Sequence, residues 1–472
     1  MIKRFLYIIL LLISLLSVTC IYADDDDKDV STYVRYAVEN RREIRIADEQ
    51  VTLAKLRVVN SARGLGPAVI MQYTESDGET MTDPYQAKAY LIKLNQSVFH
   101  GGKRYNTLRR EMEGHKVARS EYRKAEQNVK YEALKTYYNA LLNQEKNKDI
   151  DELIKRSASE FIVSEKKHTA LIVTQVEFLE IEDLKEEMFL DKKMRGYELS
   201  LSVLDLKAAC NIRNEVEVDL SGHTVRKAES DMDLEMENYK DLAMKNRPEI
   251  QGLEALVAQT GYDEKVAKGD KWPLFSIEGS VGKSGEAYVD QDLVMATEWS
   301  VFGNMEWIFW GNSLGGKYGQ KKTEPSEILD ASVRTKTTDR FIQLGILDRL
   351  DYYYNKQEKI ISSAQAMKDL EDMKKKVEME VEKSYNNMRI SAELMELAKH
   401  KIELNKKKVE IVEKKNMLGE ATSKDYIESM MKLSVEKDAY AESVVKYNIA
   451  LAELKISSGI DVCPVRLGKK KG

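Results

Sequence analysis

The chain has 472 residues, of which 32% are charged and only 6 are proline, and its formal net charge is −5. Many Lys and Glu residues with few helix breakers indicate long helices. The slightly acidic balance differs from the basic surface of a nucleic-acid-binding protein, so no nucleic acid is expected as a partner. A mean hydropathy of −0.48 excludes a bundle of membrane-spanning helices, but not a β-barrel, whose alternating segments give a weak hydropathy signal.

Residues 1–23 resemble a secretory signal peptide. Two basic residues precede an apolar run over residues 5–18, which is too short to span a membrane comfortably. The small residue at position 23 offers a cleavage site. The alternative is lipidation of Cys20, which is disfavoured because Thr19 is a poor residue before an acylated cysteine. We therefore expect an exported mature chain that begins with an acidic linker over residues 24–30.

The first half of the chain predicts a helix, a strand hairpin and two long helices, in that order. Apolar residues recur at helical spacing over residues 31–63, and this pattern stops before Pro67. Residues 68–99 then alternate apolar and polar side chains around a polar turn, which is typical of a β-hairpin. Helical periodicity returns over residues 103–209 with a break near residue 168, and two long helices joined by a short break predict an antiparallel helical hairpin.

A short motif occurs twice and indicates a duplication. Residues 40–44 read Asn-Arg-Arg-Glu-Ile and residues 246–250 read Asn-Arg-Pro-Glu-Ile, and each Asn precedes a proline by 27 residues, at Pro67 and Pro273. The copies lie 206 residues apart (246 − 40), which is far longer than a solenoid repeat. The sequence therefore predicts two similar halves.

The second half repeats the plan with a longer strand region. Tyr385 corresponds to Tyr137 at an offset of 248 (385 − 137), so about 42 extra residues (248 − 206) fall within the second strand region, residues 274–347. Aromatic residues such as Trp299 and Trp307 alternate with polar residues there. We interpret the region as an enlarged hairpin whose aromatic residues lie at a membrane interface; an aromatic core of a soluble insertion is the alternative. The pattern leaves open whether the extra residues add strands or form a long loop.

These patterns predict a mainly α fold with β structure, in which each duplicated half has a strand hairpin and a long antiparallel helical hairpin. Four strands are too few to close a membrane barrel, and open sheet edges are not tolerated in lipid. A ring of subunits satisfies both the strands and the helical seams, because it closes one β-barrel and one coaxial helical tube. The predicted boundaries are a signal peptide (1–23), an acidic linker (24–30), a first repeat (31–215, with the hairpin at about 68–99 and helices at about 103–209), an inter-repeat linker (216–233), a second repeat (234–462, with strands at about 274–347 and helices at about 355–459) and a basic tail (463–472).

This order of motifs resembles the TolC family of outer-membrane efflux and secretion channels, over residue 31 to about residue 459. The resemblance includes the repeated Asn-Arg-x-Glu-Ile helix, the sequence Val-Phe-His-Gly-Gly at residues 98–102, and Tyr-Tyr-Asn at residues 137–139. It implies a homotrimer whose twelve strands form one β-barrel in the outer membrane and whose helices form a tube across the periplasm. It also implies a periplasmic adaptor, an inner-membrane pump and outer-membrane lipid as partners, and passage of small molecules or proteins to the exterior.

The segment at residues 418–429 is similar to the second helical turn of that family, in which a glycine-containing tip precedes two acidic residues. Asp425 and Glu428 would share one helix face, and the resemblance implies that they line a narrow periplasmic aperture, where three copies form a cation-attracting ring. The alternative is an ordinary helix N-terminus, where acidic residues suit the macrodipole. In the first half, residues 169–176 are taken as the counterpart, with Thr169 in place of glycine and Gln175 in place of the acidic aperture residue. The residues predicted to contact the adaptor are Thr169, Ala170, Leu171, Leu418 and Gly419.

Other functional classes fit the sequence less well. The five histidines are scattered, and the sequence contains neither His-Glu-x-x-His nor Cys-x-x-Cys spacing, so we expect no enzyme, no cofactor and no metal site. An exported coiled-coil adaptor or scaffold without a pore is the second hypothesis. Its helical hairpins would fit, but the strands and the twofold repeat would not.

Overall fold

The computed structural model describes residues 30–79, 84–218, 220, 224–228, 235–288, 292–324 and 335–463. The predicted signal peptide, the candidate lipidation site at Cys20 and nearly all of the acidic linker and basic tail lie outside these residues.

Helices and strands alternate in two similar series along the described chain. The first series contains α1 (Val30–Asn40), α2 (Arg42–Arg63), β1 (Ala68–Glu79), β2 (Pro84–Phe99), α3 (Lys103–Thr169) and α4 (Gln175–Cys210). The second contains α5 (Met236–Asn246), α6 (Pro248–Gly269), β3 (Leu274–Tyr288), β4 (Ala296–Phe309), β5 (Asn312–Glu324), β6 (Thr335–Gly345), α7 (Asp351–Met417) and α8 (Ser423–Ser457). The long helices therefore lie where the periodicity predicts them.

The repeated motif marks the junction between two short helices in each series. Arg41 and Arg247 are both extended, with ψ of 133° and 126°, and each separates one short helix from the next. In the second series the cause is clear, since a residue before proline is disfavoured in α conformation and Pro248 is well suited to the first helical position. Arg41 contacts Glu43 and Glu132, and Arg247 contacts Glu249 and Glu380.

The two long helical hairpins form the body of the molecule. Helices α3 and α7 each contain 67 residues, which corresponds to about 100 Å. The short helix α1 packs on α3 and α4 through a core that includes Val34, Ala133 and Leu206. The short helix α5 packs on α7 and α8 through a second core that includes Tyr239 and Val381. Among the described helices, none has both the length and the apolar character that crossing a membrane requires.

The strands form one antiparallel sheet in the order β1-β2-β3-β4-β5-β6. The expected count of four strands is therefore wrong, because the extra residues of the second half add the β4–β5 hairpin. Trp310 and Gly311 join these two strands with φ of 49° and 79°. Two consecutive residues with positive φ match the twist of an antiparallel pair, but Trp-Gly is not a typical sequence for such a turn. The turn was therefore not recognised from the sequence.

Candidate functional site

The tip of the α7–α8 hairpin is built around a left-handed glycine and a capped helix. Gly419 has φ of 78°, and a side chain there would meet open space. Thr422 caps α8: its hydroxyl accepts a hydrogen bond from the Asp425 backbone N–H (3.1 Å), and its own N–H donates to the Asp425 carboxylate (2.9 Å). The hydrogen bond from the Thr422 backbone lowers the pKa of Asp425. Asp425 therefore holds a negative charge at the positive end of the helix macrodipole.

Glu428 lies one turn further along α8. Its side chain is about half exposed, and one carboxylate oxygen lies 3.8 Å from Lys424 Nζ. Lys424 also contacts Glu180 of α4 at 3.0 Å. The ammonium group thus lies between one acidic residue from each helical hairpin.

The tip of the α3–α4 hairpin has the same design, which corrects the expected alignment. The left-handed residue is Leu171, with φ of 58°, and not Thr169. Thr174 caps α4, and its hydroxyl accepts a hydrogen bond from the Glu177 N–H at 3.2 Å. Gln175 is the first residue of α4 and its side chain contacts His168 at 2.8 Å, so it does not occupy the acidic position. The predicted alignment of Thr169 and Gln175 was wrong by two residues.

Both tips carry a pair of acidic residues at matching positions. The matching pairs are Leu171 and Gly419, Thr174 and Thr422, Glu177 and Asp425, and Glu180 and Glu428, each separated by 248 residues. Sequence reasoning missed Glu177 and Glu180. The offset of 248 between Tyr137 and Tyr385 would have identified them had it been applied to the tips.

Apolar side chains cover the ends of both hairpins. Leu171 is 91% exposed and Leu418 is 75% exposed, and Ile172 and Met417 beside them are also largely exposed. Thr169 and Ala170 are exposed as well. Contiguous exposed apolar groups rimmed by polar residues mark interaction sites, so the tips can bind another protein.

A buried ion pair lies further from the tips, between α4 and α8. Arg195 contacts Asp438 at 2.7 Å and Asp191 at 2.9 Å. Burial raises the pKa of Asp438 to about 6, although the charge of Arg195 acts in the opposite direction. One carboxylate oxygen of Asp438 has no hydrogen-bond partner among the described residues, which agrees with the cost of burying this charge.

The sheet has two chemically different faces. Residues directly opposite each other in an antiparallel sheet share a face, so the strand register assigns every side chain. The apolar face carries Val69, Met71, Tyr73, Tyr90, Ile92, Leu94, Ile277, Val281, Trp299, Val301, Met305, Trp307, Tyr318, Ile342 and Leu344. The polar face carries Gln72, Thr74, Lys93, Asn95, Ser280, Ser284, Glu298, Ser300, Asn304, Lys317, Lys321, Thr337 and Gln343.

Burial on these faces is the reverse of what an ordinary globular sheet shows. Glu298 and Ser300 of the polar face are 4% and 6% exposed, whereas Val301 of the apolar face is 51% exposed. Glu298 contacts Lys321 at 2.9 Å, and the Ser280 and Ser300 hydroxyls lie 2.6 Å apart. Exposed apolar residues do not fit an aromatic core of a soluble insertion. A sheet with an apolar exterior and a polar interior is instead typical of a membrane pore wall.

Comparison with known proteins identifies the fold. No family model and no curated protein matches the sequence. Among solved structures, the CmeC outer membrane channel of Campylobacter jejuni matches 92% of this chain and 86% of its own, with a TM-score of 0.71 and 16% identity. The outer-membrane channel OprN matches 92% and 90%, with a TM-score of 0.72 and 14% identity. The outer membrane protein VceC from Vibrio cholerae matches 92% and 96%, with a TM-score of 0.69 and 9% identity.

The chain therefore has the fold of outer membrane channels, mainly helical with one sheet. The resemblance to the TolC family is confirmed as a likeness of fold across nearly the whole described chain.

Proposed function

We propose that this protein is the outer-membrane exit duct of a tripartite efflux or type I secretion system, and not an enzyme. The observation that carries the proposal is the likeness to outer membrane channels over 92% of the chain. The sheet with an exposed apolar face and a polar opposite face supports it. The signal-like residues 1–23 support placement in the outer membrane with the helices extending into the periplasm.

A homotrimer is the proposed assembly. In the described chain, β1 and β6 are the two edges of the sheet. β1 leads away from the helices and β6 leads back to them, so the edges of neighbouring copies can pair in antiparallel fashion and close a ring. Three six-stranded sheets would give eighteen strands instead of the expected twelve. Because barrel diameter grows roughly linearly with strand number, the barrel would be about one and a half times as wide.

The matched contacts in the two halves support a duplication with repeats at residues 31–215 and 234–462. The partners of the two motif arginines, Glu132 and Glu380, are 248 residues apart. The left-handed residues that follow α4 and α8, Asn211 and Gly459, have the same spacing.

The helical tips are the proposed periplasmic entrance. Asp425 and Glu428 would line the aperture, as the resemblance implies, and the matching Glu177 and Glu180 extend the proposed set to four carboxylates per subunit. Rings of carboxylates favour cations. The exposed tip residues, Thr169, Ala170, Leu171, Leu418 and Gly419, would contact a periplasmic adaptor, which in turn connects the duct to an inner-membrane pump.

Single-channel recording of the purified oligomer in a planar bilayer tests this proposal. We expect discrete openings, and a weaker cation preference when Glu177, Glu180, Asp425 and Glu428 are changed to Asn or Gln. A matched control, Glu186→Gln with Glu187→Gln, neutralises exposed residues further along α4 and should leave selectivity unchanged.

The outcomes separate the parts of the proposal. Openings with unchanged selectivity in the tip variant would overturn the aperture assignment and keep the channel. A folded protein that does not fractionate with outer membranes and shows no openings would overturn the exit duct in favour of a coiled-coil scaffold.

A further inference from the structure

The apolar face of the sheet changes character toward the end that is distant from the helices. On β2 the apolar positions from Leu94 to Tyr90 are followed by Lys88, and on β3 Val281 is followed on the same face by Lys283. The change occurs on β5 and β6 as well. On each of these four strands the exposed apolar stretch ends and at least one basic residue follows it.

Five basic residues lie beyond the apolar stretch on this face. They are Lys88, Lys283, Lys322, Lys336 and Arg340, here called the basic belt. The acidic side chains described on the same face at this level are Glu75 and Asp77, both on β1. Glu75 contacts Lys88 at 2.8 Å, so the positive excess lies on β3, β5 and β6.

The arrangement of these charges favours an anion from outside the chain. Lys322 and Lys336 stand directly opposite each other in the register, and like charges in opposite positions destabilise a sheet. Lys283 and Lys336 are exposed, and neither forms an ion pair with any described residue. A negatively charged group at this level would offset the repulsion.

The belt lies at the level where an outer leaflet would end. Tyr73, Tyr90, Trp299 and Tyr318 stand on the same face between the apolar stretch and the cations, and aromatic girdles of membrane proteins occupy the headgroup level. On β2 the stretch from Val98 to Tyr90 corresponds to about 26 Å along the strand, close to the height of an outer-membrane apolar band. Lys and Arg side chains beyond such a boundary extend into the headgroup region.

We propose that the basic belt binds the phosphate groups of anionic lipid headgroups in the outer leaflet. Ammonium and guanidinium groups form charge-assisted hydrogen bonds to phosphate oxygens, and basic residues near a membrane surface attract anionic lipid. The inference rests on the proposed insertion of the sheet into the outer membrane. It adds a ligand class and a binding surface on the exterior of the duct, separate from transport through its interior.

The test compares two charge-matched variants of the whole oligomer. Lys283→Gln with Lys336→Gln removes two cations from the belt, and Lys93→Gln with Lys317→Gln removes two cations from the polar face. Each protein is placed in nanodiscs of phosphatidylcholine alone or mixed with phosphatidylglycerol. Retained phosphatidylglycerol is counted by native mass spectrometry, and the melting temperature is measured in both lipids.

We expect the wild type and the polar-face variant to retain phosphatidylglycerol and to melt at a higher temperature in the mixture. The belt variant should bind that lipid about tenfold more weakly, and high salt should have the same effect on the wild type. Inorganic phosphate added to phosphatidylcholine discs should not replace the lipid. Equal retention by the wild type and the belt variant, or equal loss in both variants, would overturn the belt. Insertion without lipid preference would leave the exit duct intact, whereas failure to insert in either lipid would overturn both proposals.

Discussion

The helical hairpins and the sheet differ in how closely their two halves agree. Helices α3 and α7 have the same length, and the tips match residue by residue at an offset of 248. The sheet receives two strands from the first half and four from the second. An antiparallel sheet can gain a hairpin without changing the direction in which the chain leaves it, whereas a helical seam loses its register with almost any insertion. The fold therefore tolerates growth in the sheet and not in the hairpins.

Deleting the β4–β5 hairpin with its flanking loops should have the largest effect. β3 would then be followed by β6, which runs in the opposite direction and can pair with it. We expect four strands per subunit and a barrel about two-thirds as wide, with the helical hairpins unchanged. Cryo-electron microscopy of both proteins measures the width. An unchanged barrel would mean that β4 and β5 lie outside the proposed wall.

Removing the motif arginine should affect the two halves unequally. Arg247→Met leaves Glu249 and Glu380 without their buried partner and should cost about 3 kcal/mol of the free energy of unfolding. Burial alone would raise the pKa of Glu249, but the hydrogen bond and charge of Arg247 outweigh it and lower that pKa.

The matched change in the first half is Arg41→Met. Its partners are more than half exposed, so the cost should be about 1 kcal/mol or less. Urea unfolding in detergent measures both variants. Equal costs would contradict the difference in burial.

The response to pH should depend on the second half alone. Asp438 corresponds to Leu190 in the first half, and its pKa is raised from 3.8 to about 6. A raised pKa means that the folded state binds the proton more tightly, so this group adds stability as the pH falls through 6 toward 4. Between pH 6 and pH 5 the gain should be about 1.4 kcal/mol.

Asp438→Asn should remove that gain, and the comparison isolates it from other titrating groups. Melting temperatures of wild type and variant at pH 7 and pH 5 provide the measurement. The same pH dependence in both proteins would show that Asp438 does not titrate in this range.

The smallest effect should come from the left-handed tip residues. Gly419→Ala should cost about 1 kcal/mol, because a side chain is strained at φ of 78°. Leu171→Gly should instead stabilise by less than about 1 kcal/mol, since relief of strain is partly offset by the entropy of glycine in the unfolded chain. Thermal unfolding of the two variants checks both signs. A stabilising Gly419→Ala change would show that the tip adopts another conformation.

The elements that follow a sustained period could be predicted from the sequence, and those that depend on one turn could not. The helix predicted from about Thr174 to Ala209 spans Gln175–Cys210, because apolar spacing over many turns fixes its course. The β4–β5 hairpin was missed because Trp310 and Gly311 do not resemble the usual turn residues.

The tip assignment failed for a similar local reason. A leucine occupies the left-handed position in the first half, so the composition of that segment does not mark the turn. The alignment was therefore placed on Thr169, two residues early, and the acidic Glu177 and Glu180 were overlooked. The aperture and adaptor-contact residues remain predictions.

Two helices of equal length connecting the sheet to the tips act as a double spacer. Each contains 67 residues, so both tips of a subunit stand at one distance from the sheet. Lengthening one helix alone would tilt the pair of tips and misalign the Lys424 and Glu180 contact between them. A descendant of this chain that must bridge a wider or narrower gap can therefore change only by insertions or deletions of equal length in both halves.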